Sequence, residues 1–388
     1  MVDPVGFITG DKIESWALSH NKVSVTAVIS VNHKLIKHKG MKNIAIGIDF
    51  SKESFDATVM FRDGDNFREV EYCKFDNDKK GHRAFLKWVT TATKQLPDSK
   101  IKSEWLFCGE HTGTCSIELC DFLAKRKLFM WLESALVIHR KCGIVREKND
   151  KVDSKRIAEY ALRNFSNEVE AYQLDSTDMK KLKALYTAHN MLTKDKVSKK
   201  NQIKSGTLDN STLALRTIEK QLESIEEAIS KIDNQIKVLL KTSGEFSHNY
   251  EILDSFKGAG PITIACLIIK TRNFKIMTDS RELGCYVGVV PHGCQSGTSI
   301  NKQPRTSRYR DRNANAVLTN CANSAIMHNS VISDYYKRLL GRGVVWQKAK
   351  NNCKFKIINI LLAMIKNGTT FDIEKYGKSK RGWTGESA

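Results

Sequence analysis

The sequence predicts three parts: an α/β layer domain, a long helical segment patterned as a coiled coil, and a mainly helical C-terminal domain. Short apolar runs ending in acids alternate with amphipathic helical stretches between residues 41 and 168, the order of an α/β layer fold. Apolar residues then recur every three or four positions at Leu215, Ile218, Leu222, Ile225, Ile229, Ile232, Ile236 and Leu239. That spacing is a heptad seam. Beyond residue 249, glycine-containing turns separate further apolar stripes of helical period. The divisions that follow are an extension over 1–40, the α/β domain over 41–168, the coiled coil over 174–248, the C-terminal domain over 249–371 and a basic tail over 372–388. The tail is short, basic and glycine-containing, and is expected to be disordered.

Composition limits what such a chain does. Its 63 Lys and Arg against 43 Asp and Glu leave a net charge of +20 over 388 residues. A surplus of that size suits a polyanion, nucleic acid ahead of an acidic membrane surface. No apolar run approaches the roughly 18 residues of a membrane span, and no signal pattern opens the chain. A soluble cytoplasmic protein associated with the nucleoid is expected. The ten cysteines stand singly, which points to reduced thiols rather than a disulfide framework or a zinc ribbon. His139 with Cys142, His292 with Cys294 and Cys115 with Cys120 could each be half a metal site, but none has a second half.

Taken in order, Ile44 to Asp49 is an apolar strand ending in an acid, and Ser54 to Phe61 and Phe67 to Phe75 are two more strands. A helix is expected from Gly81 to Lys94 and a strand from Glu104 to Cys108, which runs into Gly109 and Glu110. A helix from Thr114 to Lys125, a strand from Leu128 to Leu132 and a helix opening at Asp150 complete the domain. Asp150 and Asp153 are three residues apart, so they share a side with Ile157 and Ala161, the packed stripe of that helix. Two like charges there are costly unless a cation lies between them. Acids in a first helical turn also favour the macrodipole without any function. The order of Asp49, Glu110 and the Asp-x-x-Asp pair decides between these readings.

That order resembles the RuvC branch of the ribonuclease H-like fold. The resemblance implies a set of carboxylates, Asp49, Glu110, Asp150 and Asp153, that holds two Mg²⁺ ions roughly 3.5–4 Å apart for phosphoryl transfer. Mn²⁺ is the admissible substitute. Oxygen ligands select such hard ions. The run Ile46-Gly47-Ile48-Asp49 also resembles the first phosphate motif of the actin and sugar-kinase ATPases. Those proteins follow the acid with glycine and a small hydroxyl residue, where this chain has Phe50 and Ser51, and a bulky Phe fits a phosphate loop poorly.

The seam from Leu215 either pairs with another chain or folds back on Leu174 to Val197, with Asn201 to Ser211 as the hairpin between two helices. Further on, Ser255 to Thr263 reads as helix, tight glycine hairpin, helix, with Pro261 opening the second helix. Lys257, Gly258 and Gly260 would there present backbone N–H groups to a phosphate, as in helix-hairpin-helix DNA-binding elements.

The Gly-x-Gly-Pro hairpin, the Tyr-x-Gly-x-x-Pro segment from Tyr286 to Pro291 and the Gln295-Ser296-Gly297 segment, following the N-terminal acids, resemble the DEDD insertion-sequence transposases. That family includes the Piv DNA invertase and the bridge-RNA-guided recombinases, and the likeness spans about Met41 to Phe371. It implies that Asp49, Glu110, Asp150 and Asp153 are the catalytic metal-binding tetrad and that Ser296 is the nucleophile forming a phosphoserine link to cleaved DNA. It also implies target and donor double-stranded DNA, a structured noncoding bridge RNA, and a homo-oligomer, dimer or tetramer, with the tetrad of one protomer facing the serine of another. Thr298 and Ser299 compete as nucleophile, with Ser296 favoured because Gly297 lets the backbone expose it. The family's Lys-Gly-Asn-like turn is replaced here by Asp311 to Asn315. Lys302, Arg305, Arg308, Arg310 and Arg312 form a basic run suited to a phosphate backbone. Two other readings stay open: a RuvC-type endonuclease that uses water, and a non-catalytic coiled-coil nucleic-acid scaffold.

Overall fold

The computed structural model describes residues 42–97, 104–111, 113–141, 149–166, 169–207, 210–296 and 300–377, the stretches 294–296 and 300–303 by their backbone alone. The expected extension over 1–40, Cys142, Thr298, Ser299 and residues 378–388 of the expected tail lie outside the described residues, whereas 373–377 of that tail form a short helix rather than disordered chain. The chain divides into two units, 1–174 and 175–388.

The first unit is built on a five-stranded sheet. Its strands are β1 (Ile44–Phe50), β2 (Ser54–Asp63), β3 (Asn66–Asp76), β4 (Trp105–Glu110) and β5 (Phe129–Glu133), in the order β3-β2-β1-β4-β5. β1, β2 and β3 are antiparallel neighbours, whereas β4 and β5 run parallel to β1. The parallel step from β1 to β4 requires a crossover, which contains α1 (Lys79–Ala92). The helix begins where Asp78 caps Lys80 and Gly81 through its side chain. α2 (Ile117–Ala124), α3 (Ala135–Lys141) and α4 (Asp150–Asn164) follow.

Period-two alternation sorts the sheet residues into two cores. Ile44, Ile46, Ile48, Phe55 and Val59 pack with Phe85 and Val89 of α1 and with Leu119 and Leu123 of α2. Ala45, Met60, Leu106 and Cys108, on the other face, pack with Ile157, Ala158 and Ala161 of α4. α4 lies directly on β1 because Gly47 has no side chain: a Cβ there would stand 2.1 Å from the Ser154 carbonyl oxygen and 2.4 Å from the Ala158 nitrogen. Beside it, the buried hydroxyls of Thr58 and Ser154 are 2.8 Å apart and tie β2 to the same helix.

Among its described residues the second unit is helical apart from one hairpin. α5 (Thr177–Lys204) and α6 (Thr212–Thr242) open it. Lys196 and Lys200 meet Glu226, each at 3.0 Å, and His189 meets Asp233 at 3.4 Å, so higher numbers on one helix face lower numbers on the other. The two helices are thus an antiparallel pair within one chain, the fold-back of the two alternatives. The seam residues Leu215 to Ile232 are half-buried, and only Ile236 and Leu239 near its end are fully covered.

α7 (Ser247–Asp254), α8 (Pro261–Lys270) and α9 (Ser280–Val287) lead to β6 (Pro291–Ser296) and β7 (Ile300–Thr306), which pair antiparallel. α10 (Arg312–His328), α11 (Ser330–Gly341), α12 (Trp346–Asn367) and the short α13 (Ile373–Gly377) complete the unit. One core joins α5, α6 and α7 to α8, α10 and α12 through Leu182, Leu240, Tyr250, Ile264, Leu318 and Ile357. Gly258 has φ +122°, and a Cβ there would lie 2.7 Å from the Ala325 Cβ. Its bareness admits α10.

Candidate active site and nucleic-acid interface

Three sheet residues and one helix build an acidic corner in the first unit. Ile48 pairs with Gly109 across the parallel ladder, so Asp49 and Glu110, one position on, end adjacent strands together. Asp49 lies two residues past Gly47 and therefore on the same face, the one covered by α4. Asn149 caps that helix by accepting from the Lys151 N–H at 3.1 Å, which sets Asp150 and Asp153 in its first turn. Electrostatics show that Asp49 feels the other three acids. Burial, then the charges of Glu110, Asp153 and Asp150, push the Asp49 carboxyl up from 3.8 to about 6. Burial and Asp153 likewise raise Glu110, against the opposing pull of His139 and Arg156.

The helix pair sits less deeply than its stripe predicts. Asp153 is half-buried and meets Arg156 at 3.2 Å, while Asp150 is exposed. As the first helical residue, Asp150 has no preceding turn to cover it. His139 lies within 3.5 Å of Arg156. Its suggested partner Cys142 is outside the described residues.

A fifth acid completes the corner. Asp56 pairs directly with Asp49 across β1 and β2, and it is only 4% exposed. The Tyr72 hydroxyl donates to it at 2.5 Å, and the Lys74 ammonium lies at 3.5 Å. The hydrogen bond to Asp56 is the main reason the Tyr72 phenol is raised to about 12. Asp56 was missing from the sequence-derived set, although the register of a tight hairpin around Ser51 to Glu53 already faces it toward Asp49.

The donor chemistry fits a hard divalent cation, because the carboxylates supply oxygen alone. They surround the corner without closing on one point: among the described residues no three His, Cys, Asp or Glu side chains form a group that could hold a metal. Like charges this close disfavour one another's ionised form. This has a measurable consequence in metal-free protein. The folded-state value of Asp49 lies above its ordinary one, so its ionised form is penalised at pH above about 6, and the penalty vanishes near pH 4. Asp49→Asn should therefore raise the melting temperature by a few degrees at pH 7.5 and leave it unchanged near pH 4. A gain that is equal at both pH values would remove the electrostatic account.

In the second unit, Ser296 ends β6, paired with Ile300 of β7. This stretch is the end of a two-stranded hairpin, concealed in the sequence by Pro291 and Gly293. Lys302 lies on β7 opposite Cys294, and Arg305 opposite His292. Arg305, Arg308, Arg310 and Arg312 are exposed. Arg310 lies against Gly288, whose φ of +73° ends α9 and whose Cβ would stand 2.2 Å from the Arg310 Cδ. Asp311 separates these cations and caps α10; it binds the Lys270 ammonium at 2.7 Å and accepts from the Tyr286 hydroxyl at 3.1 Å. Lys257 is exposed in the turn before α8, where Gly260 caps the helix and Pro261 opens it.

Comparison with known proteins covers both units. A family profile for the DEDD transposases of the IS110 group matches residues 46–211. A second profile, the transposase IS116/IS110/IS902 family, matches residues 250–337. The pilin gene-inverting protein of Moraxella bovis is 24% identical over 273 residues, which span 68% of this chain and 77% of that protein. An uncharacterized 44.8 kDa protein of insertion element IS116 from Streptomyces clavuligerus is 24% identical over 151 residues, 39% of this chain and 37% of that protein. The four acids fall within the first match and Ser296 within the second.

Proposed function

Since the chain belongs to the IS116/IS110/IS902 family of transposases, we propose that it cuts and rejoins DNA with Asp49, Glu110, Asp150 and Asp153 as metal ligands and Ser296 as nucleophile. The observation that carries this reading is the placement of Asp49 and Glu110 at the ends of adjacent strands, where burial first and then the charges of Glu110, Asp153 and Asp150 raise Asp49 to about 6. Perturbed carboxylates gathered in one place mark a candidate functional site. The four carboxylates would hold two Mg²⁺ ions, which when bound supply charge neutralisation at the attacking and leaving oxygens. A serine hydroxyl is a weak nucleophile until its proton is withdrawn.

In the cleavage step the Ser296 Oγ attacks a backbone phosphorus. The Oγ–P bond forms as one P–O bond of the DNA breaks, and the leaving deoxyribose oxygen takes up a proton. Attack on this phosphoserine by the hydroxyl of a second strand reverses the step and frees the serine. The number of phosphodiester bonds is conserved, so rejoining needs no external energy source.

The exposed Arg305, Arg308, Arg310 and Arg312, with Lys302 and Lys257, would follow the phosphate backbone of target and donor DNA, and the glycines Gly258 and Gly260 would let the α8 N-terminus approach it. That the Moraxella relative is described as a protein that inverts a gene favours recombination over simple hydrolysis. By the same family likeness a structured noncoding RNA would choose the sequences. The half-buried seam of α6 and exposed apolar residues along the pair, Met191, Val197 and Leu213, would serve association of protomers.

The test is Ser296→Ala. The variant should lose any covalent protein–DNA adduct on denaturing gels while DNA binding stays within about twofold. An adduct that persists would move the nucleophile to another hydroxyl such as Ser299. Cleavage that persists without an adduct would favour the water-using endonuclease.

A further inference from the structure

Residues 312–371 carry nine Lys and Arg and a single acid, Asp334. This segment lies largely beyond the second family match, which ends at 337. α12 alone has Lys348, Lys350, Lys354, Lys356 and Lys366 and no acid over 22 residues. An ordinary solvated helix intersperses both signs, and here nothing intersperses them. Among the described residues no carboxylate lies within ion-pair distance of Arg338, Arg342, Lys348, Lys350 or Lys356.

Aromatic rings stand among these cations. Trp346, the first residue of α12, is 52% exposed, and the Lys350 ammonium one turn later is 5.0 Å from its ring centroid. Val345 beside it is also exposed. On α11, Tyr335 carries Arg338 at 5.5 Å and Lys356 of α12 at 5.8 Å. Burial and the neighbouring Arg338 both lower the Lys356 ammonium below its ordinary value. Leaving an indole in water is unfavourable. Lys350 stands by this ring and Arg338 and Lys356 by Tyr335, all without a carboxylate partner among the described residues, so the surface suits an anionic ligand with a flat apolar face. An unpaired nucleotide is such a ligand: the base stacks on the ring, and the phosphates meet the cations.

We propose that the corner between α11 and α12, from Arg338 to Lys350, binds a single-stranded stretch of nucleic acid, with Trp346 stacking on an unpaired base and Arg342, Lys348 and Lys350 on its backbone. The proposal rests on the reading of the chain as a nucleic-acid recombinase and adds to it a site for unpaired strand. A duplex keeps its base faces stacked and cannot use Trp346. A loop of RNA and a displaced DNA strand share the required chemistry.

Fluorescence anisotropy of the full chain with labelled oligothymidylate, oligouridylate and a blunt DNA duplex tests it. Trp346→Ala should weaken binding of the single strands about tenfold and of the duplex less than about twofold. Trp346→Phe should retain most of the affinity. Lys348→Ala with Lys350→Ala should lower the salt slope for single strands by roughly 1.4. A stronger effect on oligouridylate would identify RNA as the occupant, and on oligothymidylate a displaced DNA strand. No loss with Trp346→Ala, or an equal loss for duplex and single strand, would overturn the proposal. The ring is exposed, so unchanged thermal melting should accompany the variant. If Ser296→Ala kept its adduct while the Trp346 selectivity held, the reading of the serine would fall and this one would stand.

Discussion

Replacing Gly47 by alanine is expected to lower the melting temperature by roughly 10 °C and to remove DNA cleavage with it. The added methyl group would stand 2.1 Å from the Ser154 carbonyl oxygen and 2.4 Å from the Ala158 nitrogen. Both are backbone atoms of α4, so no rotamer change makes room, and the helix must lift from β1. Overpacking that only the backbone can relieve costs about 3 kcal/mol or more. The displaced helix carries Asp150 and Asp153, so activity falls even in the fraction that stays folded. Gly244→Ala is the control, since its added Cβ would meet nothing within 4 Å. If Gly47→Ala melted like the parent, α4 would not rest on β1, and the geometry of the acidic corner would have to be redrawn.

Much of this corner was legible in the sequence because it depends on local pattern. Asp49 follows a run of alternating apolar residues, and Glu110 follows another, so each is marked as a strand end without knowledge of the partner strand. The helix from Asp150 is equally local, with Asn149 as its cap. What the pattern could not weigh is depth. The stripe through Ile157 and Ala161 extends to Asp153, half-buried beside Arg156, but Asp150 lies beyond the covered part. Asp56 was passed over because a single acid between Phe55 and Ala57 reads as one exposed position, and only pairing with Asp49 turns it inward.

The second unit was harder for a different reason. A heptad seam states that one face of α6 is covered, not by what. The answer, α5 of the same chain, depends on contacts such as Lys196 with Glu226 that lie far apart in sequence. Gly258 reads as a turn glycine, yet its bareness also serves the packing of Ala325. The hairpin of β6 and β7 was invisible because its residues, rich in Pro, Gly, Ser and Lys, have little strand preference. α9 and α11, which also went unassigned, are short, and helices of that length draw their stability from the core they join.

Asp153→Asn is expected to reduce Mg²⁺-dependent strand cleavage by more than about a thousandfold with little change in folding. Asn keeps the shape of the side chain and removes the charge felt by both Asp49 and Glu110. Among the described residues Asp153 pairs with Arg156 at 3.2 Å, and an arginine one turn away is a counter-ion that a divalent cation can outcompete. Asp56 offers the contrast within the same corner, for its oxygens are already engaged by Tyr72 and Lys74. Asp56→Asn should therefore leave most of the cleavage in place. Isothermal titration with Mg²⁺ separates the two positions without reference to turnover, with binding heat lost for Asp153→Asn and retained for Asp56→Asn. Equal loss at both would mean that the corner acts through its summed charge rather than through particular ligands. Undiminished cleavage in Asp153→Asn would remove the metal reading, because Asp153 is the acid of α4 whose charge both Asp49 and Glu110 feel.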